Sequence, residues 1–117
     1  KGILVAAHGS RVDSTIHTIN EVVQMVKEEI SDMPVEIAYM EFCEPDIKQG
    51  IEALIKKGVD TIKVVPYFLF DGIHIREDIP STIHEVLKEY PHVTVEMGKT
   101  LGADRRLAEI LIDRIKE

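Results

Sequence analysis

Five apolar residues in succession, Ile3-Leu4-Val5-Ala6-Ala7, stop abruptly at His8-Gly9-Ser10. A short unbroken apolar run bounded by glycine predicts a strand buried on both faces. The period then changes. Ile16, Ile19, Val22, Val23, Val26 and Ile30 recur three or four residues apart, as on one face of a helix that Pro34 closes. Val35 to Met40 reads as a second strand. Glu44-Pro45-Asp46 opens a second helix, with the proline tolerated in the first turn; Ile47, Ile51, Leu54 and Ile55 form its face and Gly58 stops it. The third strand, Thr61 to Phe68, is β-branched and strongly apolar. A long segment follows from Leu69 to Ile79, and a helix is predicted over 80–90 with Ile83, Val86 and Leu87 inward. Val93 to Met97 is a fourth strand, and Leu107, Ile110, Leu111 and Ile115 mark a last helix.

Four strand–helix units with apolar strands predict a parallel sheet with helices on both faces. Right-handed crossovers then give one doubly wound α/β domain over residues 1–117, with the flavodoxin-like strand order 2-1-3-4. No linker, repeat or low-complexity stretch interrupts it. The hydrophobic share of 44% is enough for a real core and excludes a disordered chain. No apolar run approaches the roughly 20 residues that cross a bilayer, so no membrane role is expected. The net charge of −7 argues against nucleic acid as a partner. The lone Cys43 cannot form an internal disulfide, and the first residues lack a secretory-signal pattern; both lead to the expectation of a cytoplasmic protein.

Open parallel sheets bind ligands beyond the carboxyl ends of their strands. The segments predicted there are His8-Gly9-Ser10-Arg11, then Glu41, Cys43 and Glu44, then Phe70-Asp71-Gly72-Ile73-His74, and finally Gly98-Lys99-Thr100-Leu101-Gly102. Two histidines and several carboxylates therefore gather on one rim, whereas His17, His84 and His92 fall on helices or at a turn. Gly9 lets a ligand or backbone approach closely. Tyr67 to Phe70 supply apolar surface, half of it core by alternation and half available as a wall for a flat ligand. Cys43 is read as a small buried hydrophobe. Two imidazoles and a carboxylate suit iron, cobalt or nickel, and no Cys/His quartet suggests structural zinc. A histidine near its ordinary pKa also accepts protons at neutral pH.

These residues resemble the short sirohydrochlorin chelatases, class II enzymes that insert cobalt, iron or nickel. The matching segments are Val5 to Arg11, Met40 to Pro45 and Val64 to His74, extended by Glu77-Asp78-Ile79-Pro80, so the similarity runs through essentially the whole chain. The resemblance implies that His8 and His74 are the metal-handling and proton-accepting pair, with Glu41 assisting metal delivery. It implies insertion of a divalent metal into sirohydrochlorin with loss of two pyrrole protons, in cobalamin or sirohaem biosynthesis. The metal is then a substrate, and no permanent cofactor is expected. It also implies a homodimer, because longer members look like two such domains fused and this chain matches one half. Sirohydrochlorin carries many carboxylates and the chain is acidic, so local positive charge is needed. Arg11, Arg76 and Lys99 on the predicted rim are the candidates, with Ser10, Phe70 and Gly72 as further substrate-binding residues.

Two rival readings stand beside this one. A mannose-type phosphotransfer domain would phosphorylate His8 alone; the apolar, histidine-ending segment after the third strand argues against it. A non-catalytic metal or tetrapyrrole carrier needs the same ligands and differs only in turnover.

Overall fold

The computed structural model describes residues 1–117, with the side chain of His74 outside the described set. Four parallel strands form one sheet in the order β2-β1-β3-β4: β1 is Gly2–Ala7, β2 Val35–Tyr39, β3 Thr61–Pro66 and β4 Thr94–Met97. Four α-helices connect and follow them: α1 is Asp13–Glu29, α2 Ile47–Lys56, α3 Ile79–Leu87 and α4 Arg105–Lys116. The expected topology is present. β1 lies between β2 and β3, and the chains leaving the carboxyl ends of β1 and β3 turn to helices on opposite faces of the sheet, which opens a crevice there.

Alternation along β1 divides the core in two. Leu4 and Ala6 face α2 and α3, where they join Ile51, Leu54, Ile62, Val64, Ile79 and Ile83. Val5 faces the other way, toward Val23 of α1 and Val35. The face of α2 is Ile47, Gly50, Ile51 and Leu54, spaced by three or four and fully buried. Each large side chain so covered contributes about 1.5–3 kcal/mol of apolar burial. Gly50 marks the closest approach of helix to sheet, since an added Cβ would lie 2.7 Å from Leu4 Cδ1 and 2.9 Å from Ala38 Cβ.

Three local features differ from the sequence reading. α2 begins after Pro45, not with it in the first turn. Asp46 is the N-cap of a capping box, accepting from the Gln49 N–H at 2.8 Å while Gln49 Oε1 accepts from the Asp46 N–H at 2.8 Å. Secondly, the segment before α3 is not irregular throughout: His74–Asp78 form one π-helical turn. This wider turn ends where Pro80 removes an amide donor from the ladder. Such turns gather at functional sites. Thirdly, α4 covers neither face of the sheet. It buries no residue, and Ile110, Leu111 and Ile115 point their apolar surface outward. The radius of gyration, 14.8 Å, accordingly exceeds the roughly 13 Å of a compact chain of this length. No helix among the described residues is long and apolar enough to cross a membrane.

Candidate active site

The crevice is built by backbone register first. Ala7 pairs with Tyr39, so the chain leaving β1 and the chain leaving β2 emerge side by side. The Met40 N–H donates to the Ala7 carbonyl at 2.9 Å, and the Glu41 N–H to the His8 carbonyl at 3.1 Å. Gly9 permits this. Its φ is +105°, and an added Cβ would collide with the Glu41 carbonyl oxygen. The close approach expected at Gly9 is thus that of the chain's own backbone, and it sets Glu41 beside His8. His8 Nε2 lies 2.9 Å from Glu41 Oε1, with both side chains nearly half exposed, at 45% and 47%. The pair is held from below and open from above.

An aromatic ring lies against this pair. Phe42 stands edge-on to the His8 imidazole, with ring centroids 5.9 Å apart, and the Arg11 guanidinium lies 4.5 Å over its face. Phe42 is a non-glycine residue at φ +74°, a conformation costing roughly 1–2 kcal/mol that the surrounding contacts must offset. The sequence reading included Phe42 in the matching segment Met40 to Pro45 but gave it no role. Apart from that segment, its signal is an aromatic side chain in a strand-end loop otherwise rich in charge.

The other predicted residues are placed as follows. Ser10 Oγ accepts from the Val12 N–H at 3.0 Å and shapes the turn into α1. Leu69, Phe70 and Ile73, in the segment after β3, are all more than half exposed, and Phe42 is 49% exposed. Tyr67 and Phe68 instead pack on the two cores. Gly72 lies just before the π-helical turn: its carbonyl accepts from the Ile75 and Arg76 N–H groups at 3.2 and 3.1 Å. The backbone of His74 begins that turn, after β3; its side chain lies outside the described residues. Arg76 is exposed on the same turn and borders a hollow with Asp71 and Glu77. Lys99 follows β4, two strands from β1, or about 10 Å at the usual strand spacing. A cavity of about 270 Å³ lies between the loop after β2 and the π-helical turn, bounded by Glu41, Asp46, Lys48 and Asp78. Asp78 was not singled out from sequence, and it is the turn's geometry that brings it opposite Glu41. Among the described residues no group of three or more His, Cys, Asp or Glu side chains is arranged to hold a metal ion. Burial pushes the Tyr39 hydroxyl up from its ordinary value, with Cys43 adding to the effect; its oxygen has no hydrogen-bond partner among the described residues.

The model of the CbiX family matches residues 2–117. The chain belongs to the CbiX family. A sirohydrochlorin ferrochelatase of Priestia megaterium is 36% identical over 116 residues, covering 98% of this chain and 43% of the relative. A sirohydrochlorin cobaltochelatase of Methanopyrus kandleri is 33% identical over 135 residues, covering 98% of this chain and 94% of the relative. The solved sirohydrochlorin chelatase SirB of Bacillus subtilis subspecies spizizenii, in complex with cobalt, superposes with a TM-score of 0.92 at 33% identity, covering 98% of this chain and 49% of that one. The CbiX chain therefore spans about half of the Priestia relative or less, about half of SirB, and nearly all of the Methanopyrus relative. Membership in the CbiX family removes the phosphotransfer alternative.

Proposed function

We propose that the protein is a sirohydrochlorin metal chelatase: it inserts divalent cobalt, iron or nickel into sirohydrochlorin, and two pyrrole protons leave. The observation that carries the proposal is the His8–Glu41 pair, 2.9 Å apart at the mouth of the crevice. The similarity to ferrochelatases and cobaltochelatases supports it. The metal is a substrate. His8, Glu41 and His74 offer it nitrogen and oxygen donors of the kind that late first-row ions favour, without the closed shell of a structural site.

The chain's own groups divide the work. Once the ion passes to the macrocycle, a pyrrole N–H gives its proton to a base. With Nε2–H donated to Glu41, His8 accepts that proton at Nδ1, and the Glu41 carboxylate offsets the imidazolium charge. His74 is assigned the second proton. Phe42, Leu69, Phe70 and Ile73 face the flat macrocycle and exclude water around the reacting nitrogens. Ser10, Gly72, Arg11, Arg76 and Lys99 hold its carboxylates. The chain acts as one half of a homodimer, equivalent to half of the longer chelatases, in the cytoplasm and without membrane or nucleic-acid partners. The product belongs to cobalamin or sirohaem biosynthesis.

The test is an anaerobic absorbance assay of purified protein with sirohydrochlorin and each metal in turn. Many turnovers per chain are expected with at least one ion. Stoichiometric binding without turnover would favour the carrier reading, and no acceleration with any of the three would overturn the proposal.

A further inference from the structure

Phe42 sits in the loop after β2, and that loop is tied down at both ends. Where it begins, the Met40 N–H donates to the Ala7 carbonyl at 2.9 Å and the Glu41 N–H to the His8 carbonyl at 3.1 Å. Where it closes, the Tyr39 N–H donates to the Pro45 carbonyl at 2.8 Å. Between these ties Phe42 adopts φ +74°, a left-handed conformation that bulky residues seldom take, and leaves its ring 49% exposed. Neither feature favours folding. Strain of this kind persists where the surroundings impose it, and such places cluster at functional sites.

The ring contacts two side chains of the loop after β1. It stands edge-on to the His8 imidazole, with centroids 5.9 Å apart and an interplanar angle of 75°, and it carries the Arg11 guanidinium 4.5 Å over its face. Phe42 is a stiff side chain on a tied backbone, whereas Arg11 is long and exposed, so the ring orients the guanidinium and not the reverse.

For His8 the contact sets something that its ion pair does not. The approach of Nε2 to Glu41 Oε1 at 2.9 Å fixes one atom of the imidazole, and the ring can still turn about a line through that atom. Nδ1, the nitrogen assigned to take the pyrrole proton, lies off that line and moves with the turn. The imidazole is 45% exposed, so the core does not confine it. An aromatic ring held edge-on resists the turn, because edge-to-face is the arrangement that the ring quadrupoles favour.

We infer that Phe42 is a positioning residue for the His8 base: its left-handed backbone turns the aromatic ring onto the imidazole and fixes the plane in which Nδ1 meets the substrate. This rests on the role proposed for His8. It goes beyond shielding the macrocycle, which any apolar side chain of similar size provides. Leucine at this position keeps the apolar surface and loses the edge contact.

The test compares wild type with Phe42→Leu, Phe42→Gly and Phe42→Tyr. Each is assayed anaerobically for metal insertion, unfolded in urea, and studied by nitrogen NMR as metal-free protein with labelled histidine, the His8 signal being the one missing from His8→Ala. An edge-to-face pair biases ring orientation by about 2–12-fold. In Phe42→Leu, kcat should therefore fall several-fold, with that upper figure as the ceiling, and KM for sirohydrochlorin should change less. Phe42→Tyr keeps the ring and should recover most of the loss. Glycine takes up φ +74° without strain, so Phe42→Gly should unfold at a urea midpoint no lower than Phe42→Leu, yet with kcat no higher. The neutral imidazole should be the single Nε2–H tautomer in wild type and Phe42→Tyr, and a mixture in Phe42→Leu and Phe42→Gly. Either an unchanged kcat or a single retained Nε2–H tautomer in Phe42→Leu would overturn the inference. So would a kcat that follows the urea midpoint across the variants, which would make Phe42 a merely structural residue. A wild-type protein without turnover would instead overturn the proposed function, and the tautomers would still show whether Phe42 holds His8.

Discussion

Gly9→Ala should damage both stability and catalysis, because one hydrogen atom separates the backbone of Gly9 from that of Glu41. The magnitude follows from two costs. An L-residue with a side chain at φ +105° loses roughly 1–2 kcal/mol by backbone sterics alone. The Cβ would also drive into the Glu41 carbonyl, so the loop after β2 must move. Moving it breaks or stretches the Met40 N–H bond to Ala7 and the Glu41 N–H bond to His8, each worth about 1 kcal/mol net. The expected loss is therefore about 3–4 kcal/mol. Gly58→Ala provides the control: φ there is +87°, but an added Cβ meets nothing within 4 Å, so only the backbone cost of roughly 1–2 kcal/mol applies. Urea unfolding of the two variants measures the difference. Catalysis separates them further, since a displacement of about 1 Å at the His8–Glu41 pair should cost on the order of 100-fold in insertion rate, while Gly58→Ala keeps the wild-type rate. The reasoning is refuted if Gly9→Ala is no less stable than Gly58→Ala, or if it inserts metal at the wild-type rate.

Four further outcomes are expected. Gly50→Ala should destabilise by about 1–3 kcal/mol in urea unfolding, despite the better helix propensity of alanine, because α2 must lift from Leu4 and Ala38. The Tyr90 hydroxyl donates to Glu52 at 2.6 Å, and this bond, with burial and the Glu52 charge, raises its pKa above the ordinary value. The stability it lends is therefore complete below about pH 10 and lost as pH climbs through the raised value, so the stability advantage of wild type over Tyr90→Phe should shrink in alkaline unfolding series. Arg11→Glu and Lys99→Glu should raise KM for sirohydrochlorin by modest factors that salt reduces, with kcat little changed, as steady-state assays at two ionic strengths will read. Under the proposed function the ion is substrate, so chelator-treated protein should keep its urea midpoint and regain full activity on adding metal.

The strands were legible because each is short, rich in apolar and β-branched residues and separated from the next by a helical pattern; the order β2-β1-β3-β4 was the preferred one among those that right-handed crossovers allow, and the structure has it. His8 and Glu41 were legible as rim residues for the same reason: both follow strands that end together. Their pairing was not, since it depends on Gly9 letting two backbones touch. Phe42 escaped because an apolar side chain in a loop carries no period, and its left-handed φ is written in no residue type other than glycine or asparagine. The π-helical turn before Pro80 likewise leaves no repeat in so short a segment. The pattern Leu107, Ile110, Leu111, Ile115 correctly announced a helix with an apolar face. Periodicity reports that such a face exists but not which surface covers it, so the outward course of α4 could be seen only in the structure.

The central claim is that His8, set against Glu41, takes a proton from the macrocycle as the metal enters. It is tested most directly by the anaerobic initial rate of metal insertion into sirohydrochlorin by His8→Ala beside wild type, with unfolding midpoints measured on the same preparations. The account predicts a fall of about 10²–10⁴-fold in rate with the fold intact. A His8→Ala protein that is folded and inserts metal at close to the wild-type rate would contradict it.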